Sequence, residues 1–297
     1  MATTTLIDDL LKGFHRLFGV HRGLRPVHTR GVFLEGEFVP ADPPAALSRA
    51  AFLRGVPTPV VARFSNFVGM PDGPDNAQEK RGFAVRFLLP GDASTDVVAH
   101  TYDGFPTRTP EDFVQFLAAV AEGSAGVERF RAAHPETRPF LEAPDFAPVS
   151  YATETYFAVH AFRYVAGDGK ATFGRPRFEG VAGVHHHSAQ EAAALAPDYL
   201  RAELRQRLAS GPVLFRYRVQ IAGPGDPLDD PTRRWPDDRP LVDLGTLRLT
   251  KLAADQDDLA RRIGFLPTRL VDGIEPPSDP LFAVRGDAYR ASYAERS

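Results

Sequence analysis

Arg285 and Tyr289 stand four residues apart in Arg285-Gly286-Asp287-Ala288-Tyr289, the spacing that brings two side chains together on one helical face. A guanidinium beside a phenol favours the phenolate, and a phenolate is a strong ligand for ferric iron. The pair reads equally well as a surface arginine beside a half-buried tyrosine, so the remaining polar residues must decide. Three segments set such residues among apolar, β-prone neighbours: Arg25-Pro26-Val27-His28, Ala62-Arg63-Phe64-Ser65 and Arg81-Gly82-Phe83-Ala84-Val85-Arg86-Phe87. Each can line a pocket, or each can be a satisfied residue of a barrel. An imidazole such as that of His28 is suited to both taking up and returning a proton near neutral pH.

The elements that must position these groups are mostly extended. Segments 31–39, 60–67, 82–89, 96–105, 156–165, 213–222 and 242–252 are rich in Val, Phe and Tyr, alternate in part, and are separated by Gly, Pro and Asp. This is the pattern of an antiparallel sheet or barrel. Helices flank them. Leu6, Leu10, Leu11, Phe14, Leu17 and Phe18 recur at helical spacing over residues 3–18, Thr109-Pro110-Glu111-Asp112 opens a second helix, and Ser188 with Glu191 forms a capping box for a third. That third helix breaks at Pro197 and resumes over 198–211, while the Pro- and Asp-rich stretch 223–239 reads as an ordered excursion within one domain.

Composition narrows the chemistry. The chain has 297 residues, 43% hydrophobic and 25% charged, which suffices for a sizeable core. A net charge of -3, with basic residues scattered among acidic ones, gives no footprint for nucleic acid or an anionic membrane, and no apolar run reaches the ~18 residues a membrane span needs. Asp8 and Asp9 interrupt the N-terminal segment where a signal peptide is apolar, so a cytoplasmic location is expected. With no cysteine there is no thiolate metal site and no thioether attachment of haem. Met1 and Met70 are the only methionines, which suits a protein that handles oxidants and follows equally from a composition rich in Ala and Arg.

In this order, with Tyr289 at the far end, the segments resemble the haem catalases, and in particular the short catalase-related peroxidases. Arg25-Pro26-Val27-His28 stands where that family has its distal histidine, Arg63-Phe64-Ser65 follows the next loop, and the Arg-Gly-Phe-Ala-Val signature is intact at 81–85. Trp235-Pro236 through Gly245 and Gly273-Ile274-Glu275-Pro276 also match stretches of the family. The resemblance covers nearly the whole chain. It implies an α+β fold in which a closed antiparallel β-barrel of about eight strands is wrapped by helices. A single domain over 1–297 is implied, with an N-terminal helical arm and a C-terminal proximal helix.

The resemblance further implies a noncovalent haem b with Tyr289 as axial iron ligand and Arg285 holding it ionised. Arg25, Arg63 and Arg296 would meet the haem carboxylates, and Val27, Gly82, Val98, Phe105, Phe113 and Phe265 would line the haem. His28 would move the peroxide proton, leaving water and a ferryl compound I, and Ser65 either fixes the His28 tautomer or bonds to backbone. The substrates would be hydrogen peroxide or organic peroxides with an organic electron donor.

Two departures matter. Catalases place an asparagine in the distal pocket, and the corresponding residue here is His100 in Val97-Val98-Ala99-His100-Thr101-Tyr102, which either enters the pocket or points away. Loss of the amide weakens the dioxygen-forming half of the catalase cycle and favours peroxidase action. The chain also stops eight residues after Tyr289, so neither the helical C-terminal domain of large catalases nor NADPH is expected. A small homo-oligomer, a dimer, is the expected assembly. His185-His186-His187 cannot converge on one ion from adjacent positions and reads as a surface feature, and His160 reads as a packed barrel histidine. Two other functions fit the same residues: an allene oxide synthase-like rearrangement of lipid hydroperoxides, and a barrel that binds haem without catalysis.

Overall fold

Strands that alternate large apolar side chains with small or charged ones bury one face and leave the other free to carry chemistry. The computed structural model describes residues 4–42 and 46–296. Its strands are β1 (Gly31–Pro40), β2 (Thr58–Asn66), β3 (Arg81–Leu88), β4 (Ser94–His100), β5 (Ala147–Pro148), β6 (Thr155–Phe157), β7 (Phe162–Val165), β8 (Ala171–Gly180), β9 (His186–His187), β10 (Val213–Ile221), β11 (Leu241–Leu252) and β12 (Ile274–Glu275). Neighbours run β10-β11-β1-β2-β3-β4-β6-β8, and β8 pairs again with β10, closing an antiparallel barrel of eight strands. Strands β7 and β12 extend the sheet from β8, and β5 with β9 makes a separate two-stranded ribbon.

An eight-stranded barrel has an interior just wide enough for side chains. Here aromatic rings fill it. Phe64 stacks on Phe83 at 4.4 Å, Phe178 on Tyr217 at 4.6 Å, and Phe38, Phe87, Tyr156 and Phe215 close the remaining space, all fully buried. A large planar ligand therefore has no room inside, and any such ligand belongs on the outer face.

Eight helices lie outside the barrel among the described residues: α1 (Thr4–Phe18), α2 (Pro110–Ala121), α3 (Ser124–Ala133), α4 (Arg138–Glu142), α5 (Ala189–Ala194), α6 (Tyr199–Ser210), α7 (Gln256–Arg262) and α8 (Pro280–Ala294). Residue 3, where the sequence places the start of the first helix, lies outside the described residues. Ile7, Leu10 and Leu11 of α1 pack against Leu117 of α2 and Val284 of α8 in a second apolar layer. Burial of side chains of this size contributes roughly 1.5–3 kcal/mol each. Thr109 caps α2 by accepting the Asp112 N–H, and Ser188 and Glu191 form the reciprocal capping box of α5. The 223–239 stretch is held by the bidentate Arg239–Asp226 pair and by buried Trp235, whose ring lies 4.4 Å from the Arg175 guanidinium.

Three expectations change. Segment 156–165 is not one strand, because the chain leaves the sheet between Phe157 and Phe162. The strand expected over 96–105 ends at His100, after which 101–104 form a bend that leads to Phe105. Strand β8 was not expected at all: Gly174, Pro176 and the charges of Arg175, Arg177 and Glu179 hide its pattern.

Candidate active site

The register of four strands builds one wall. Gly31, Ser65, Gly82 and His100 are successive cross-strand partners on β1 to β4, and Phe33, Arg63, Ala84 and Val98 form the next row on the same outward face. Glycine and alanine keep this wall low. A Cβ on Gly82 would come within 2.5 Å of Ser65 Oγ and 2.6 Å of His28 Nδ1, so only glycine lets the imidazole rest against the strand. His28 itself reaches this position from a bend, at a positive φ of 55°. The left-handed conformation is uncommon for a non-glycine residue, and the Arg63 guanidinium helps hold it by donating to the His28 carbonyl at 2.9 Å. Val27 sits beside His28 in the same bend.

The two histidines of the wall are held in opposite tautomers. His28 Nδ1 is 3.0 Å from the Asn66 carbonyl, which can only accept, so Nδ1 carries the proton and Nε2 keeps its lone pair. Ser65 Oγ lies 3.2 Å from the same Nδ1. His100 Nδ1 instead accepts the Tyr102 backbone N–H at 3.3 Å. Burial, helped by Arg63, Arg285 and Arg25 and opposed by the Asn66 carbonyl, pushes the His28 imidazolium down to about 4. His100 is pushed down to about 3, by burial first and then by His28 and Arg285. Both rings are largely enclosed by protein yet keep some accessible surface. Both rings meet Phe67 edge to face, at ring separations of 5.1 and 6.0 Å.

Helix α8 carries the second group of candidate residues. Asp279 caps it, accepting the Phe282 N–H at 2.8 Å, and places Arg285 two turns further on. Arg285 donates to the Tyr289 hydroxyl oxygen at 2.9 Å through one nitrogen and to His160 Nε2 at 2.7 Å through another. His160 Nδ1 donates to Asp279 at 2.5 Å. Burial keeps the His160 imidazolium low despite that carboxylate, so the neutral ring can accept from Arg285 while it donates to Asp279. Nothing in the sequence signals this role, because Asp279 and Arg285 lie 119 and 125 positions from His160. The His160 ring is turned to α8 because the chain breaks between β6 and β7.

Three arginines gather at one edge. Arg25 donates to the carbonyls of Ala260 and Ile263, Arg63 to those of His28 and Thr29, and Arg296 to that of Ile263. None has a carboxylate partner among the described residues, and their charges depress one another: burial first, then Arg63 and Arg296, lowers Arg25. Burial lowers Arg63 to about 10. Nε of both Arg63 and Arg296 is buried without a partner. Such a cluster lacks anions, and two carboxylates would complete it. Arg296 lies just past the end of α8, seven residues after Tyr289. Phe265 stacks on Phe33 at 6.2 Å beneath the arginines, and Phe105 packs against Phe113 at 4.9 Å near α1. The triple histidine diverges: His185 binds the Ala182 carbonyl, His186 pairs with Glu154, and His187 packs on Tyr199. No group of three metal-ligating residues occurs among the described residues.

A flat wall with two neutral imidazoles, a tyrosine held by arginine, and an unpaired trio of cations fit a haem standing on the outer face of the barrel. The catalase family profile matches residues 21–297. The chain belongs to the catalase family. With it the chain belongs among the oxidoreductases that act on peroxide, a family whose cofactor is haem. It is 37% identical to the catalase-related peroxidase of Mycolicibacterium paratuberculosis, over 98% of this chain and 94% of that protein. It is 32% identical to the catalase-related peroxidase of Synechococcus elongatus, over the whole of this chain and 90% of that one. Catalase-2 of Bacillus subtilis is 29% identical over 89% of this chain, but the match spans only 42% of that longer protein. A fungal catalase structure superposes with a TM-score of 0.80 over 92% of this chain at 21% identity, which speaks for the fold. No helix among the described residues is long and apolar enough to cross a membrane.

The histidines make stability depend on pH. His28, His100 and His160 all have lowered values in the folded protein, so below about pH 6.5 the unfolded chain takes up protons that the folded chain refuses. Stability present near neutrality is therefore lost as the pH falls from about 6.5 towards 4. The two protons of His28 and His100 correspond to a limiting slope on the order of 3 kcal/mol per pH unit, partly offset by Glu154, which burial raises to about 8. The midpoint of urea unfolding should drop steadily from pH 7 to pH 5; a constant midpoint would contradict the neutral, enclosed state of these rings.

Proposed function

We propose that this chain is a haem b peroxidase that reduces hydrogen peroxide, and organic peroxides, at the expense of organic electron donors, with some catalase activity. The observation that carries this reading is the pairing of a fixed His28 base with the Arg285–Tyr289 pair, whose guanidinium charge reaches both distal imidazoles. When bound, haem would supply the redox chemistry that splits the peroxide O–O bond.

The residues of the chain do the rest. Tyr289 would hold the iron, with Arg285 favouring its ionised oxygen, and the His160–Asp279 pair would keep Arg285 in place. Arg25, Arg63 and Arg296 would hold the haem carboxylates, while Val27, Gly82, Val98, Phe105, Phe113 and Phe265 shape the walls. His28 Nε2, unprotonated at neutral pH, would take a peroxide proton and return it to the departing oxygen, which leaves as water. Ser65 positions that ring by meeting Nδ1. The protein would act as a single cytoplasmic domain assembled as a homodimer.

One assay tests the reading: oxygen evolution from hydrogen peroxide measured beside oxidation of a phenolic dye. Dye oxidation should dominate over oxygen release. Consumption of a lipid hydroperoxide with no donor present would favour the rearranging enzyme instead, and absence of all three activities in the haem-loaded protein would favour a barrel that only binds haem.

A further inference from the structure

A cavity of about 350 Å³ lies where the chain leaves helix α1 on its way to Arg25, lined in part by His15, Val20, His21, Leu24, Pro26 and Glu295. That volume falls in the range of small-molecule sites. The ends of two helices frame it: His15, in the last turn of α1, meets Glu295, the residue that follows α8, at 3.4 Å. Val20 and Leu24 are exposed apolar side chains, and Pro26 is buried behind them. His21 supplies a directed polar group. Its Nε2 lies 2.7 Å from the Phe18 carbonyl, which can only accept, so the proton of the neutral ring sits on Nε2 and Nδ1 keeps a lone pair. No partner meets that lone pair among the described residues. Pro26 follows Arg25 and Glu295 precedes Arg296, and both arginines donate to the Ile263 carbonyl, at 2.6 and 3.3 Å. Consecutive Cα atoms are ~3.8 Å apart, so the cavity backs directly onto two of the three cations that would hold the haem carboxylates.

We propose that this cavity binds the organic electron donor and that the donor is a phenol, its ring against Val20, Leu24 and Pro26 and its O–H donated to His21 Nδ1. The inference rests on the peroxidase reading and adds to it the class of the donor and its place. Removing one electron from a phenol makes its O–H strongly acidic, so a base within hydrogen-bond reach eases the oxidation. In each turn the O–H bond breaks, the proton passes to His21 Nδ1 and on to solvent, and the electron passes to the oxidised haem across the wall that carries Arg25 and Arg296. One hydrogen peroxide and two phenols thus give two molecules of water and two phenoxyl radicals. The donor never enters the distal side, so His28 and its peroxide are left undisturbed.

Guaiacol is the probe. In the haem-loaded full chain without peroxide, its ring protons should relax faster in the NMR spectrum because the site lies near a paramagnetic ferric iron, and the titration gives its Kd. L24W fills the cavity and should raise that Kd about 10-fold or more. V20W narrows the same space from another wall and should act likewise, so a folding defect in one variant does not decide the matter. H21F keeps a ring but removes the acceptor: Kd should rise about 5- to 10-fold, as for loss of one neutral hydrogen bond, and kcat for guaiacol oxidation should fall about 100-fold, while haem content read from the Soret band stays parental. Parental guaiacol binding in both L24W and V20W, or parental guaiacol turnover in H21F, would overturn the donor site and leave the peroxidase reading standing. A haem-loaded parent that oxidises no donor would overturn both.

Discussion

Replacing His28 by alanine lowers peroxide turnover by roughly 10²- to 10⁴-fold while the protein keeps its haem, the range general acid–base catalysis commonly supplies. The expectation follows from geometry. The Asn66 carbonyl, Ser65 Oγ and a positive φ fix the ring, and burial keeps it unprotonated where a base is needed. No other group on the wall can substitute, because the Nδ1 lone pair of His100 is engaged by the Tyr102 N–H and its Nε2 is a donor. Haem content is measured by absorbance and turnover by peroxide loss in the same sample. Unchanged turnover in H28A would move the base elsewhere.

Replacing Tyr289 by phenylalanine acts on the other side and on another quantity. It removes one oxygen and leaves the ring, so the packing of α8 survives, but the Arg285 guanidinium loses its 2.9 Å partner. Removing an outer partner of a metal ligand typically costs 10- to 100-fold in affinity, and removing the ligand itself should cost about 100-fold or more. Haem titration of Y289F should therefore saturate only at much higher haem concentration, with a changed spectrum for whatever binds. Parent-like affinity and an unchanged spectrum would exclude Tyr289 as the ligand.

The local half of this architecture was legible in the chain. Strands β1 to β4 are rich in Val and Phe and alternate in part, because their inner face is aromatic core, and Thr109 and Ser188 announce their helices by capping chemistry. Strand β8 was not legible. A Cβ on Gly174 would come within 2.3 Å of Val219, so a glycine that looks like a strand breaker is there to admit a neighbouring strand. His160 is packed as its sequence context suggests, but its polar partners were not legible, for a different reason. Its partners Asp279 and Arg285 lie 119 and 125 positions away, and only closure of the barrel brings them together. The orientation of His100 likewise depends on a bend immediately after β4, where the alternation of the preceding residues suggested that the strand continued.

The central claim is that a haem stands between the His28–His100 wall and Tyr289. It is tested most directly by titrating haemin into the purified full chain and recording its absorption spectrum. The account predicts uptake of one haem per chain, with the high-spin ferric bands of a phenolate-ligated iron that are lost in Y289F. A chain that stays colourless, or one whose spectrum is the same with and without the Tyr289 oxygen, would contradict it.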